Sequence, residues 1–282
     1  MAIRTIHVSH SPDSDDAFMF YPLAEGKIDT GELRYEHELS DIESLNQRAL
    51  KGELEVTAVS IHAYAHLHRT YALLSSGSSM GDGYGPRLVS TTPAPADPRA
   101  ACRGKRIAVP GKLTTAFLAL QLYQPDFIPV LMPFDQIDDA VLKGQVDLGL
   151  LIHEGQLTYK DQGLHLWADM GEWWLQDTGL PLPLGGNVVR RDLGPAIVKQ
   201  VARDLKASIE YSLAHRGAAL AHAKQYSRGL ADEKTDMFVG MYVNKWTVDY
   251  GPRGREAVQA LLDRAWAARL IPEAVKAEFV GP

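Results

Sequence analysis

The sequence predicts an α/β protein of two lobes that close on a cleft, and three observations carry that prediction. Apolar strand-like runs alternate with amphipathic helical segments twice, over 3–68 and again over 105–152, which specifies largely parallel sheets covered on both faces by helices. Two stretches rich in Thr, Pro, Ala and Gly, 91–103 and 180–186, interrupt the series in the manner of linkers. Everything after Arg190 has helical periodicity. The first lobe is therefore predicted to be discontinuous, residues 1–90 with 188–282, and the second to span 91–187. The two crossings would form a hinge.

Each element follows from local pattern. Ile3 to Ser9 is an apolar strand, and Ser11-Pro12-Asp13-Ser14-Asp15-Asp16 is a turn dense in N-cap residues. A helix over 17–25 ends at Gly26, and Leu33 to Leu39 is a second strand. Asp41 to Lys51 is a helix with Ile42, Leu45, Ala49 and Leu50 on its core face, closed by Gly52. A strand over 55–60 leads to a helix from Ile61 to His68. In the second series the strands are 105–109, 128–134 and 146–152, with helices over 114–123 and 137–143. Four more helices follow, near 195–213, 217–226, 231–244 and 254–268.

Composition bounds the function. The chain is 45% hydrophobic and 23% charged, the balance of an ordinary globular protein. Lys plus Arg total 29 against 35 Asp plus Glu, and no basic run marks a nucleic-acid surface. The single cysteine, Cys102, has no partner for an intramolecular disulfide, as suits a reducing compartment. No secretion signal is evident and no apolar run is long enough to cross a membrane. A cytoplasmic protein acting on a small molecule, with neither nucleic acid nor membrane as partner, is expected.

In open parallel sheets ligands bind beyond the carboxyl ends of strands. Four polar clusters occupy such ends: Ser11 to Asp16, Ser60, Thr114-Thr115, and His153-Glu154. They should meet at one crevice if the lobes stack. Thr114 and Thr115 open a helix whose first N–H groups lack intrahelical partners, a setting for a carboxylate; equally, one Thr is simply an N-cap. His153 ends the most apolar strand of the chain, where an imidazole can titrate near neutrality and serve as a general base. A structural histidine is the alternative, and Glu154 could orient the ring.

Other chemistries find less support. Arg106 stands where a P-loop needs its first Gly, and Leu157 where a zinc-protease helix needs its second His. His62 and His66 share a helical face, yet no Cys or carboxylate completes a ligand set nearby, so a solvated face is expected and no metal. Asp13, Asp15 and Asp16 match no calcium loop; they should cap the first helix, one of them facing the cleft. Gly81-Asp82-Gly83-Tyr84-Gly85 lacks dinucleotide-binding spacing and is expected to be a flexible loop near the hinge. Trp173 and Trp174 are expected to pack.

Taken in order, these clusters resemble the 1,4-dihydroxy-6-naphthoate synthase family of the futalosine-dependent menaquinone pathway. The matching stretches are Ser11-Pro12 with Asp16-Ala17-Phe18-Met19-Phe20, Val59-Ser60 with Ala63-Tyr64-Ala65, and Thr114-Thr115-Ala116. Ile152-His153-Glu154, Thr158-Tyr159, 179–185, Arg191-Asp192-Leu193 and Tyr242-Val243-Asn244 continue the likeness over nearly the whole chain. The resemblance implies a type II periplasmic-binding-protein-like fold used as an enzyme, with no cofactor. It implies conversion of cyclic dehypoxanthinyl futalosine to 1,4-dihydroxy-6-naphthoate, with dihydroxyacetone released and His153 as proton acceptor. It further implies substrate contacts at Thr114, Thr115, Ala58, Val59 and Ser60, with Ser11 and Asp16 in the first turn. Chorismate dehydratase of the same pathway and a non-catalytic carboxylate binder are the alternatives; the 153–159 segment favours the synthase.

Overall fold

Strand β1 (Arg4–His10) pairs in parallel with β2 (Leu33–Leu39), Arg4 opposite Leu33 and His10 opposite Leu39. On its other side β1 meets β3 (Val56–Ser60), again in parallel. All five residues of β3 are buried, as a strand covered on both faces requires. Two short strands that carry no readable alternation follow, β4 (Tyr71–Leu74) and β5 (Ser79–Gly81). The computed structural model describes residues 3–227 and 229–282.

The second sheet begins with β6 (Arg87–Ser90) and continues through β7 (Arg106–Val109), β8 (Ile128–Leu131), β9 (Leu148–Leu151) and β10 (His165–Asp169). Its order is β10-β6-β9-β7-β8. The chain then returns through β11 (Leu182–Arg190) and ends with β12 (Phe279–Val280). Among the described residues the first sheet runs β12-β4-β11-β3-β1-β2, with β5 added against β11.

Three expectations change. The sheets are mixed rather than largely parallel, because β11 lies antiparallel to β3, β4 and β5 while β6 lies antiparallel to β9 and β10. Each returning strand enters its sheet from the opposite end. The Pro-rich stretch 180–186 is not a free crossing: Leu182 onward is the start of the longest strand of the first sheet, and Pro183 is accommodated where the β5–β11 register shifts. Residues 91–103 also lie inside the second lobe's part of the chain, since β6 already belongs to the second sheet; they contain a short helix, Pro98–Ala101, capped by Asp97. Sheet membership thus puts the outward crossing between β5 and β6, and Leu182 to Asn187 with the first sheet.

That outward crossing is the Gly81–Gly85 stretch, which is tightly packed rather than flexible. A side chain on Gly171 would drive its Cβ into the Tyr84 carbonyl, so only glycine permits this backbone approach. The Tyr84 hydroxyl donates to the Met241 carbonyl, and Trp246 Nε1 donates to Asp82 at 3.3 Å.

Helix Ser14–Ala24 packs on helices Pro195–Ala214 and Arg216–Ala223, enclosing a core of Ile6, Phe18, Phe20, Val201 and Ile209. A larger apolar core contains Val59, Leu73 and Val188 of the first sheet together with Val109, Leu148 and Leu150 of the second. The lobes therefore share buried hydrophobic surface behind the cleft as well as two chain crossings. No helix among the described residues is long and apolar enough to cross a membrane.

Candidate active site

The carboxyl ends of β1, β3, β7 and β9 converge on one cavity between the sheets. Its volume is about 130 Å³. Ser11, Asp16, Ala58, Val59, Ser60, Thr114, Thr115 and His153, the site residues expected from the sequence, all line this one cavity. Asp13 and Asp15 join them.

His153 follows β9 in a turn that gives it a φ of +58°. Left-handed backbone is uncommon outside glycine and costs of order 1–3 kcal/mol, held only where the surroundings impose it. Here the turn aims the imidazole into the cavity, against the Phe134 ring at a centroid distance of 4.4 Å. Its Nδ1 lies 2.6 Å from Asp13 Oδ2. Glu154 does not take that place: its carboxylate accepts instead from Ser14 Oγ at 3.5 Å.

Asp13 occupies the N-cap position of helix Ser14–Ala24 with extended backbone, but its side chain makes no cap hydrogen bond. The helix thus lacks the expected side-chain cap, while Asp13 is a first-turn carboxylate that faces the cleft. Asp16 Oδ2 accepts from the Ser11 N–H at 2.8 Å. Burial pushes the Asp16 carboxyl up to about 6, moderated by the Ser11 hydrogen bonds. Burial also raises the Asp15 carboxyl well above the usual range, with Asp16, Asp13 and Glu154 adding to it. Among the described residues no Lys or Arg lines the cavity.

The threonine pair departs from expectation in one respect. Thr114 caps helix Thr115–Tyr123 by accepting from Phe117 N–H, and its hydroxyl donates to Gly111 O at 3.0 Å. Thr115 Oγ1 donates to Leu184 O at 2.6 Å and accepts from His62 N–H. Both hydroxyl protons are thus committed within the protein. What this corner offers an anion is the backbone N–H groups of the first helical turn and the positive end of the helix dipole. Beside it, Ser60 N–H and Oγ are held by the Asn46 amide at 2.9 and 3.0 Å. The cavity is therefore acidic at the β1 end and rich in neutral donors at the other.

Two further lining residues were not expected as site residues. Asn187, 1% exposed, donates to Gly77 O at 2.9 Å; a lone amide between the apolar halves of β11 was the available signal. The Tyr242 hydroxyl, from helix Asp232–Tyr242, donates to Gln156 Oε1 at 2.7 Å. His62 is buried rather than on a solvated face: its Nδ1 lies 3.3 Å from Thr114 O, and only His66 is exposed. Among the described residues no group of three or more His, Cys, Asp or Glu is placed to hold a metal ion. Trp174 is fully buried with Nε1 donating to Pro181 O at 3.1 Å, and neither tryptophan lines the cavity.

Comparison with known proteins agrees with this architecture. A family model described as menaquinone biosynthesis matches residues 6–267. A 1,4-dihydroxy-6-naphthoate synthase of Thermus thermophilus is 38% identical over 278 residues, 99% of this chain and 100% of its own. The Streptomyces coelicolor enzyme of that name is 37% identical, covering 96% of each chain. A crystal structure of an Archaeoglobus fulgidus protein superposes with a TM-score of 0.90 at 47% identity, over 95% of this chain and 98% of its own. An alkanesulfonate-binding protein of Xanthomonas axonopodis gives 0.71 at 16% identity, over 98% and 97%. The fold is that of periplasmic binding proteins, and the chain belongs to the menaquinone-biosynthesis family.

Proposed function

We propose that this protein is a cytoplasmic carbon–carbon lyase that converts cyclic dehypoxanthinyl futalosine to 1,4-dihydroxy-6-naphthoate with release of dihydroxyacetone, His153 acting as general base. The observation that carries the proposal is the position of His153 on the cavity wall, its imidazole backed by Asp13 at 2.6 Å. Full-length similarity to two proteins named for this activity supports it.

The two ends of the cavity suit the two ends of such a substrate. The aromatic carboxylate lies against the first turn of helix Thr115–Tyr123 with Ala58, Val59 and Ser60 beside it, away from Asp13, Asp15 and Asp16. Ser11, Asp16 and the other first-turn carboxyls meet the hydroxyl-bearing, sugar-derived part, whose O–H groups are donors. Removal of a proton next to a carbonyl then lets that ring open. Gain of aromaticity drives departure of the three-carbon fragment. General-base action supplies about 10²–10⁴-fold, and orientation between the two lobes supplies much of the rest.

Incubation of purified protein with the cyclic futalosine derivative tests the proposal. The naphthoate is the expected product, and its absence refutes the lyase. Turnover of chorismate would instead identify a dehydratase, and tight binding with no product a carboxylate carrier. His153→Asn keeps a residue that tolerates positive φ and should lose about 10²-fold or more in kcat; undiminished turnover rules out His153 as base.

A further inference from the structure

We infer that Asp13 is the positioning residue of His153, delivered from the opposite lobe, so that the base is complete only when the cleft is shut. The inference rests on His153 being the proton acceptor and adds what makes it one.

Three observations converge on Asp13. Its Oδ2 is 2.6 Å from His153 Nδ1, and its side chain is 2% exposed. It sits at the N-cap position of Ser14–Ala24 but makes no side-chain cap hydrogen bond there, and its carboxylate faces His153 instead. Third, the two residues hang from different sheets: Asp13 follows β1 of the first, and His153 follows β9 of the second. The positive φ of His153 is the matching adjustment on the other side.

A carboxylate at Nδ1 does two things to an imidazole. It holds the Nδ1–H tautomer, so basicity resides on Nε2, and it stabilises the imidazolium formed after proton transfer. Phe134 against the ring keeps the pair in a low-dielectric setting. Other charged or titratable groups gather here too: Asp15 and Asp16 from the first helix, Glu154 from the same turn as His153, and Tyr242 from helix Asp232–Tyr242. The 2.6 Å approach of Asp13 addresses one specific ring nitrogen, Nδ1. Separation of the lobes would withdraw Asp13 and leave a histidine of unspecified tautomer and lower basicity, which ties activation of the base to capture of the substrate.

Asp13→Asn tests the assignment. We expect kcat to fall about 10²–10⁴-fold, as when the orienting carboxylate of a His–Asp pair is replaced by its amide, while KM changes by only a few-fold. Imidazole ¹⁵N spectra of the wild-type protein saturated with 1,4-dihydroxy-6-naphthoate should show the Nδ1–H tautomer at His153. The titration midpoint of that ring should fall by about one unit in Asp13→Asn. Unchanged kcat in Asp13→Asn, or an Nε2–H tautomer in the wild type, overturns the inference; the second measurement stands even if the variant does not fold. Identical His153 spectra with and without the naphthoate overturn the dependence on closure. Full activity in His153→Asn would remove the base itself, an outcome distinct from an active Asp13→Asn beside an inactive His153→Asn.

Discussion

Thr115 Oγ1 donates to the Leu184 carbonyl at 2.6 Å, joining the first turn of a helix of the second lobe to the strand that returns to the first sheet. The same oxygen accepts from His62 N–H at 3.2 Å, so one hydroxyl is shared by three elements. The helix end proposed to receive the substrate carboxylate is held in place by this oxygen.

Thr115→Val and Thr114→Val should therefore differ. The first leaves the half-buried Leu184 carbonyl and the buried His62 N–H without this partner, at about 1–3 kcal/mol, and lets the anion corner shift. Lower stability by chemical denaturation together with a raised KM is expected. The second removes an N-cap oxygen, worth about 1 kcal/mol, with a smaller rise in KM. Equal effects of the two on KM would show that the interlobe bond does not hold the corner.

Gly171→Ala probes the outward crossing. The added Cβ meets the Tyr84 carbonyl, which is backbone and cannot rotate aside. Overpacking of this kind costs about 1–3 kcal/mol, and a fall in Tm of roughly 2–4 °C per kcal/mol follows for a chain of this size. Activity should fall with it, because Tyr84 and Gly85 connect the two sheets. An unshifted Tm would mean that the crossing yields readily.

The strand ends were legible because the rule that locates ligands in open sheets needs only the strands, and β1, β3, β7 and β9 are all apolar enough to be seen. That alone brought Ser11, Ser60, Thr114 and His153 to one place. Strands of three or four residues such as β4, β5 and β6 show no periodicity, and β11 was hidden by its prolines, so the antiparallel returns and the true crossings were not readable. The function of Asp13 was hidden for a different reason. Three carboxylates in one turn are chemically alike in sequence, and what distinguishes them is a partner 140 positions away in the chain, counted from 13 to 153. The resemblance to a family supplied the substrate proposed; geometry supplied the pairing.

Two buried histidines should make the protein acid-sensitive. Burial lowers both His10 and His62 to about 4, against an ordinary value of 6.5. His10 has Nδ1 2.9 Å from Ser11 O, and His62 has Nδ1 3.3 Å from Thr114 O. The folded state takes up their protons less readily than the unfolded chain. Their contribution is therefore intact above about pH 6.5 and is lost as pH falls toward 4, by at most about 3 kcal/mol each. Wild-type Tm should fall between pH 7 and 4.5. His10→Gln and His62→Gln should start lower at pH 7 but decline less steeply; parallel curves would contradict the assignment.

Asp16 has the opposite sign and bears on binding. Its folded value, about 6, lies above the ordinary carboxyl value of 3.8, so its contribution to stability is fully present below 3.8 and is lost as pH rises through 6. An anionic ligand entering a cavity lined by Asp15 and Asp16 raises these two carboxyls further. Binding of the naphthoate should therefore take up a proton near pH 6–7, and affinity should weaken on the order of tenfold across pH 5.5 to 7.5, one pKa unit of coupling being about 1.4 kcal/mol. Calorimetry in buffers of different ionisation enthalpy measures the uptake directly. Asp16→Asn keeps an oxygen to accept from the Ser11 N–H, and it should reduce the uptake and flatten the pH dependence. Equal uptake in wild type and variant would assign the proton to Asp15 or His153 instead of Asp16.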